Sequence, residues 1–175
     1  MPRGEVAYNQ FGLFSELECL ILCHIEKMTW SNAGLNLHVM SLFDCAIKHA
    51  SWFLQLPCLV EIMVYQCQLM EQLVETTTLP GDLFKDQVVV SFHHLSKLTL
   101  QLLSKLYCIS DTNYEFGRLS YLQVHVCIVL KSLYLQPHTK QTKITLWCLR
   151  NWWGQLVWHT DVMKTYLIPT CSIDK

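Results

Sequence analysis

Along nearly the whole chain, apolar residues recur every three or four positions, the spacing of one face of an α-helix. Turn residues divide this pattern into about six segments. The first predicted helix covers 11–29, with Ser15 and Glu18 at capping-box spacing, and stops at Ser31, Asn32 and Gly34. A second, over 35–56, lines up Val39, Phe43, Ile47, Ala50 and Leu54 before Pro57, and a third covers 59–74. In TTTLPGD (76–82), Pro80 and Gly81 break the pattern and Asp82 is placed to cap the next helix, which predicts a hinge. Beyond it, Leu83, Phe84, Val88, Phe92, Leu95, Leu98, Leu102 and Leu106 mark a long amphipathic helix reaching Tyr107. Another helix is expected over 115–135, and a last one carries the tryptophans near the end. Only QVVVSF (87–92) reads as strand, and no internal repeat is visible. The expected fold is all-α, a single bundle of five to six helices with short loops, forming one domain over 1–175.

Composition changes that picture in one respect. Charged residues are 15% of the chain, against about 25% in an ordinary soluble domain, while hydrophobic ones reach 51%. Polar side chains are too few to coat the surface, so apolar patches are expected to meet a partner protein, a second copy or a membrane surface. Leu occurs 29 times and Ala only four times, although Ala is the best helix former. A profile rich in Leu, Cys, His and Trp and poor in Ala and Gly suits an accessory protein, of viral origin or from a young overlapping frame.

Charge excludes another class of partner. Lys and Arg number 13 against 14 Asp and Glu, with only Arg3, Arg118 and Arg150 offering a bidentate fork, so no nucleic-acid partner is expected. The first 22 residues carry Glu5, Glu16 and Glu18 and show no secretory signal, which predicts a cytoplasmic or nuclear protein with its nine cysteines reduced. The weakly charged runs 51–70 and 119–135 contain Pro57 and Glu61, and His125 and Lys131, so a membrane-surface role is easier to accommodate than a span.

No G-x-S-x-G, G-x-x-x-x-G-K, G-x-G-x-x-G or H-E-x-x-H occurs, and the expectation is a non-enzyme. Cys19 and Cys23, and Cys45 and His49, lie four apart, so on helices each pair shares a face and the four side chains would suit zinc. Neither pair has the C-x-x-C spacing of zinc knuckles, and buried free thiols are the commoner use, so no cofactor is expected, with zinc as the alternative. The 145–160 stretch, TLWCLRNWWGQLVWHT, holds four of the six tryptophans. Because indole offers a large apolar ring and one donor, Trp147, Trp152, Trp153 and Trp158 are the candidate partner-binding anchors, with Arg150 and Gln155 at the rim.

Three fragments resemble motifs of the apoptosis-regulating Bcl-2 family: LPGDLF (79–84) its short Gly-Asp motif, FGRLSYLQVHVC (116–127) its central Gly-Arg helix start, and WWGQLV (152–157) its C-terminal Trp motif. The resemblance implies an all-helical fold with a groove for a partner's helix. Pro80 stands where the first motif needs continuous helix, Glu115 and Phe116 replace the family's Asn-Trp, and about 29 residues separate Arg118 from Trp147, too few for two central helices. The segment 95–135 is similar to a nuclear-receptor ligand domain to the same degree. No family is assigned on these fragments. The function expected from sequence is a non-enzymatic interaction or accessory protein docking through apolar and aromatic surface, with peripheral membrane association or Bcl-2-like groove binding as alternatives.

Overall fold

Two large apolar residues separated by one residue turn toward the same side of a strand, and neighbouring strands can repeat them at the same height. That happens throughout this protein, whose computed structural model describes residues 16–28, 36–75, 90–110, 114–130, 144–149 and 167–172. Eleven short strands form there: β1 Cys19–Cys23, β2 Val39–Phe43, β3 Glu61–Tyr65, β4 Gln72–Val74, β5 Val90–Phe92, β6 Lys97–Gln101, β7 Cys108–Ser110, β8 Tyr114–Phe116, β9 Tyr121–His125, β10 Ile144–Leu149 and β11 Leu167–Ser172. Seven of them make one sheet, ordered β1-β2-β3-β6-β9-β10-β11, and every pairing in it is parallel. Parallel neighbours need a crossover. The described strands stack in a solenoid-like arrangement, successive ones offset by 20, 22, 36, 24, 24 and 23 residues.

The register exposes a repeat. Leu17, Leu20, Leu22 and Ile25 are followed by Leu37, Met40, Leu42 and Cys45, and then by Leu59, Ile62, Val64 and Cys67. Leu95, Leu98, Leu100 and Leu103 come next, and then Leu119, Leu122, Val124 and Cys127. Each set keeps one spacing, apolar residues at the first, fourth and sixth positions and Ile, Leu or Cys at the ninth. The middle two positions point inward and stack into columns: Met40, Ile62, Leu98 and Leu122 are all 0% exposed. Each such burial contributes about 1.5–3 kcal/mol, so stability is distributed along the stack, coil against coil.

The ninth position binds coils together in a second way. The Cys45 thiol donates to the Leu22 and Phe43 carbonyls, Cys67 to those of Leu42 and Tyr65, and Cys127 to those of Leu100 and His125. Immediately before it the chain turns out of the strand in the left-handed region, at His24, Asp44, Gln66, Leu102 and Val126, with φ between 49° and 59°. On the far side of the core the coils close through two smaller parallel pairs, β4 with β7 and β5 with β8. There Phe92 stacks on Phe116 at 5.4 Å. Gly117 passes so close to the preceding coil that a Cβ would lie 2.7 Å from the His93 carbonyl oxygen.

The all-α expectation is therefore overturned. Among the described residues there is no α-helix, only a 3-10 helix at Ser51–Gln55 within the second coil, and the segments read as helices contain the strands instead. The helical folds implied by both resemblances fall with it, and so does Bcl-2-like groove binding, which needs helices. The absence of a repeat is likewise corrected. Only QVVVSF agrees, β5 occupying its described part. The expected hinge at 76–82 lies outside the described residues.

Candidate interaction face

Alternation along each of the first five strands of the large sheet sends two residues toward the core and three to the other face. Across the first five strands the outward residues form three rows. One runs Cys19, Val39, Glu61, Lys97, Tyr121; the middle one Ile21, Ser41, Met63, Thr99, Gln123; the third Cys23, Phe43, Tyr65, Gln101, His125. Neighbouring strands lie about 4.8 Å apart, so each row is a ladder of side chains in contact. Phe43 and Tyr65 have ring centroids 5.7 Å apart. Ile21 is 58% exposed, and Val39, Phe43, Met63, Tyr65 and Tyr121 are half-buried by one another while their outer edges stay open.

Charge on this face is satisfied internally. Lys97 Nζ lies 2.6 Å from Glu61 Oε1 and 5.7 Å from the centre of the Tyr121 ring, and the Tyr121 hydroxyl donates to Gln123 Oε1 at 3.1 Å. At the rim, His24 and Asp44 pair at 3.0 Å. One polar atom is left over. Thr99 Oγ1 is buried and has no hydrogen-bond partner, the middle of β6 being 2% exposed. Its row neighbours are Met63 in β3 and Gln123 in β9. Leaving such a hydroxyl unpaired costs about 1–3 kcal/mol.

The most triad-like cluster lies elsewhere. Ser51 Oγ is 3.0 Å from His49 Nδ1, and His49 Nε2 is 3.1 Å from Glu75 Oε2, the order of nucleophile, base and orienting acid. The same serine oxygen, however, receives the Glu75 N–H at 2.8 Å and lies 3.0 Å from the Glu75 carbonyl, and Ser51 is 9% exposed. Its role is to tie one coil to the next. Ser91 does likewise with Glu115 and His93, at 2.8 and 3.0 Å.

The zinc alternative loses its geometric basis. Cys19 and Cys23 stand at opposite ends of a strand, about 13 Å apart at strand rise, rather than on one turn of helix. Cys45 is sealed in the core, His49 is bound to Ser51 and Glu75, and among the described residues no three metal-binding side chains converge. Cys19, Cys23, Cys45, Cys58, Cys67, Cys108 and Cys127 are free thiols. Burial pushes the Cys127 thiol up to about 12, and a hydrogen bond donated to Cys45, with burial, raises Cys67 as well.

Of the tryptophan site, Trp147 falls in β10, in register with Gln123 and Thr170, and so lies in a strand rather than a helix. Arg150, Trp152, Trp153, Gln155 and Trp158 lie outside the described residues. Sequence reasoning passed over Phe43, Met63, Tyr65, Thr99 and Tyr121; the signal that could have found them is their fixed place beside the two inward residues of each repeat. No helix among the described residues is long and apolar enough to cross a membrane. No family model, curated protein sequence or solved structure matches the chain.

Proposed function

We propose that this chain is a non-catalytic binding solenoid that docks a partner protein across the outer face of its large parallel sheet. The observation that carries the reading is the row of open aromatic and aliphatic side chains, Phe43, Tyr65, Met63 and Tyr121, held on a rigid ladder of strands with their charges already paired. Stacked coils present extended surfaces of this kind, and aromatic side chains on a firm scaffold supply most of the energy at interfaces. The free thiols of Cys19, Cys23, Cys45, Cys58, Cys67, Cys108 and Cys127 support a reducing compartment, cytoplasm or nucleus.

The experiment compares partner capture by the wild-type chain and by a Phe43→Ser/Tyr65→Ser variant, using cross-linking with identification of the cross-linked positions. Cross-links from the wild type are expected on the sheet face, the variant should lose capture at least tenfold, and its melting temperature should fall only slightly because both side chains are half-exposed. Undiminished capture by a folded variant would overturn the assignment.

A further inference from the structure

The two edges of the described sheet differ. At one, β11 includes Pro169, which has no N–H to offer a further strand. At the other, β1 is five residues with no charge and no proline, the features that ordinarily blunt an edge. Among the described residues β1 pairs with β2 alone. The Glu18 carbonyl accepts from the Val39 N–H and the His24 N–H donates to the Phe43 carbonyl, so the even-numbered residues bond β2. Alternation then turns the N–H and C=O groups of Cys19, Ile21 and Cys23 toward the open edge. Side chains there are open too, with Ile21 58% exposed and both cysteines exposed.

The sequence of β1, CLILC, reads the same in both directions. Such a strand is complementary to itself, because a two-fold axis at Ile21 sets two copies antiparallel with like residues matched. Ile21 then faces its own counterpart in a backbone-bonded position, the one its outward N–H and C=O require. Leu20 faces Leu22 of the second copy on the core side, and Cys19 faces Cys23 of the second copy on the other side. Charge agrees with this pairing. The same axis brings the exposed Glu18 to the level of His24 of the second copy, so an acid meets a base at each end of the apolar strand. His24 turns its Nδ1 to Asp44 at 3.0 Å, and Nε2 is the nitrogen for Glu18. We propose that two copies of this chain associate through β1, antiparallel and centred on Ile21, so that their large sheets run on as one. The axis is perpendicular to the sheet and leaves both docking faces on the same side. The association goes beyond the docking role and stands without it.

Disulfide trapping of the full chain with oxidised glutathione, read by peptide mapping, tests the register. Each link forms one S–S bond between Cys19 of one copy and Cys23 of the other. The two thiols pass two protons and two electrons to one oxidised glutathione, which leaves as two reduced molecules. Facing residues at such a position have Cα atoms about 5.5 Å apart, within disulfide reach, whereas Cys19 and Cys23 of a single chain are about 13 Å apart. Wild type is expected to give the Cys19–Cys23 link. Cys19→Ser and Cys23→Ser should each lose it alone, and an equimolar mixture of the two should recover it. In reducing buffer, sedimentation velocity should find a wild-type dimer that Ile21→Lys weakens about tenfold or more, with little change in melting temperature because that side chain is exposed. The Phe43→Ser/Tyr65→Ser variant should dimerise like wild type, which separates this edge from the docking face. A wild-type monomer, as follows if another part of the chain covers the edge, would overturn the proposal. So would Cys19–Cys19 links in place of mixed ones, a mixture that recovers nothing, or a dimer indifferent to Ile21→Lys.

Discussion

Asp44 turns the chain out of β2 with φ 49°, in a column where five successive coils adopt the same left-handed geometry. Aspartate and asparagine tolerate this region because a short polar side chain bonds locally, whereas an ordinary L-residue there costs roughly 1–2 kcal/mol and a β-branched one sits at the upper end. Asp44→Val should therefore destabilise the protein by about 1–2 kcal/mol relative to Asp44→Asn. Comparing the two variants isolates the backbone effect: both lose the carboxylate that faces His24 at 3.0 Å, so the contribution of that exposed ion pair, at most about 1 kcal/mol, cancels. Asp44 is exposed, so no lost burial confuses the difference. For a chain of 175 residues about 1 kcal/mol moves the melting temperature by roughly 2–4 °C, and calorimetry should find Asp44→Val melting about 2–8 °C below Asp44→Asn. Asp44→Gly should stay close to Asn, since glycine enters the region freely. If valine and asparagine variants melt together, the left-handed turn is not required and the coil geometry assigned to the repeat is wrong.

Other perturbations test other joints of the solenoid. Gly117→Ala places a methyl 2.7 Å from the His93 carbonyl oxygen, so the coils must separate; a loss of about 1–3 kcal/mol in urea denaturation is expected, and an unchanged midpoint would contradict the close approach. Ser51→Ala leaves the Glu75 N–H without its acceptor and should cost about 1–3 kcal/mol, whereas hydrolase activity toward generic esters should be absent both before and after the change. The Cys127 thiol, pushed by burial to about 12 from an unfolded value of 9.0, stays protonated in the folded chain after the unfolded chain has begun to ionise. Its contribution is complete below pH 9 and is lost as pH rises toward 12, so wild-type stability should fall across that window more steeply than that of Cys127→Ala, as read from denaturation midpoints at successive pH values.

The repeat was written in the sequence and hidden by its own spacing. Leu95, Leu98, Leu100, Leu103 and Leu106 are separated by three, two, three and three residues, and steps of three are also those of a helix face, so a helical window accepts the run. The one diagnostic interval, the two-residue step from Leu98 to Leu100, spans a strand too short for alternation to stand out. Laying 95–109 over 119–133 aligns Leu95 with Leu119, Ser96 with Ser120 and Leu98 with Leu122, which is the comparison that reveals the 24-residue coil. Uneven coils of 20, 22 and 36 residues blur that period elsewhere. The scarcity of alanine was the sign against helices, since a leucine-rich chain with four alanines lacks the residue that idealised helices use most. Composition did convey the surplus of apolar surface; where it lies depended on the register.

That register also separates two kinds of exposed apolar residue. Ile21 belongs to the middle row of the sheet, continuous with Met63 and Thr99, whereas Leu69, Tyr107 and the Ile128–Val129 pair sit in turns beyond the strands, on three different coils. Lys105 occupies the turn between those of Leu69 and Ile128, so the turn residues do not merge into one uninterrupted apolar strip. A sheet face differs because the hydrogen-bonded ladder fixes its rows at a constant spacing, and a side chain entering between two of them meets ordered neighbours on both sides. Order of that kind lowers the entropy lost on binding, which is where equal areas of apolar surface come to differ in affinity. The shortage of charge that left this chain with apolar surface to cover thus acts most strongly at the strands, where Phe43, Tyr65 and Tyr121 are held in place before any partner arrives.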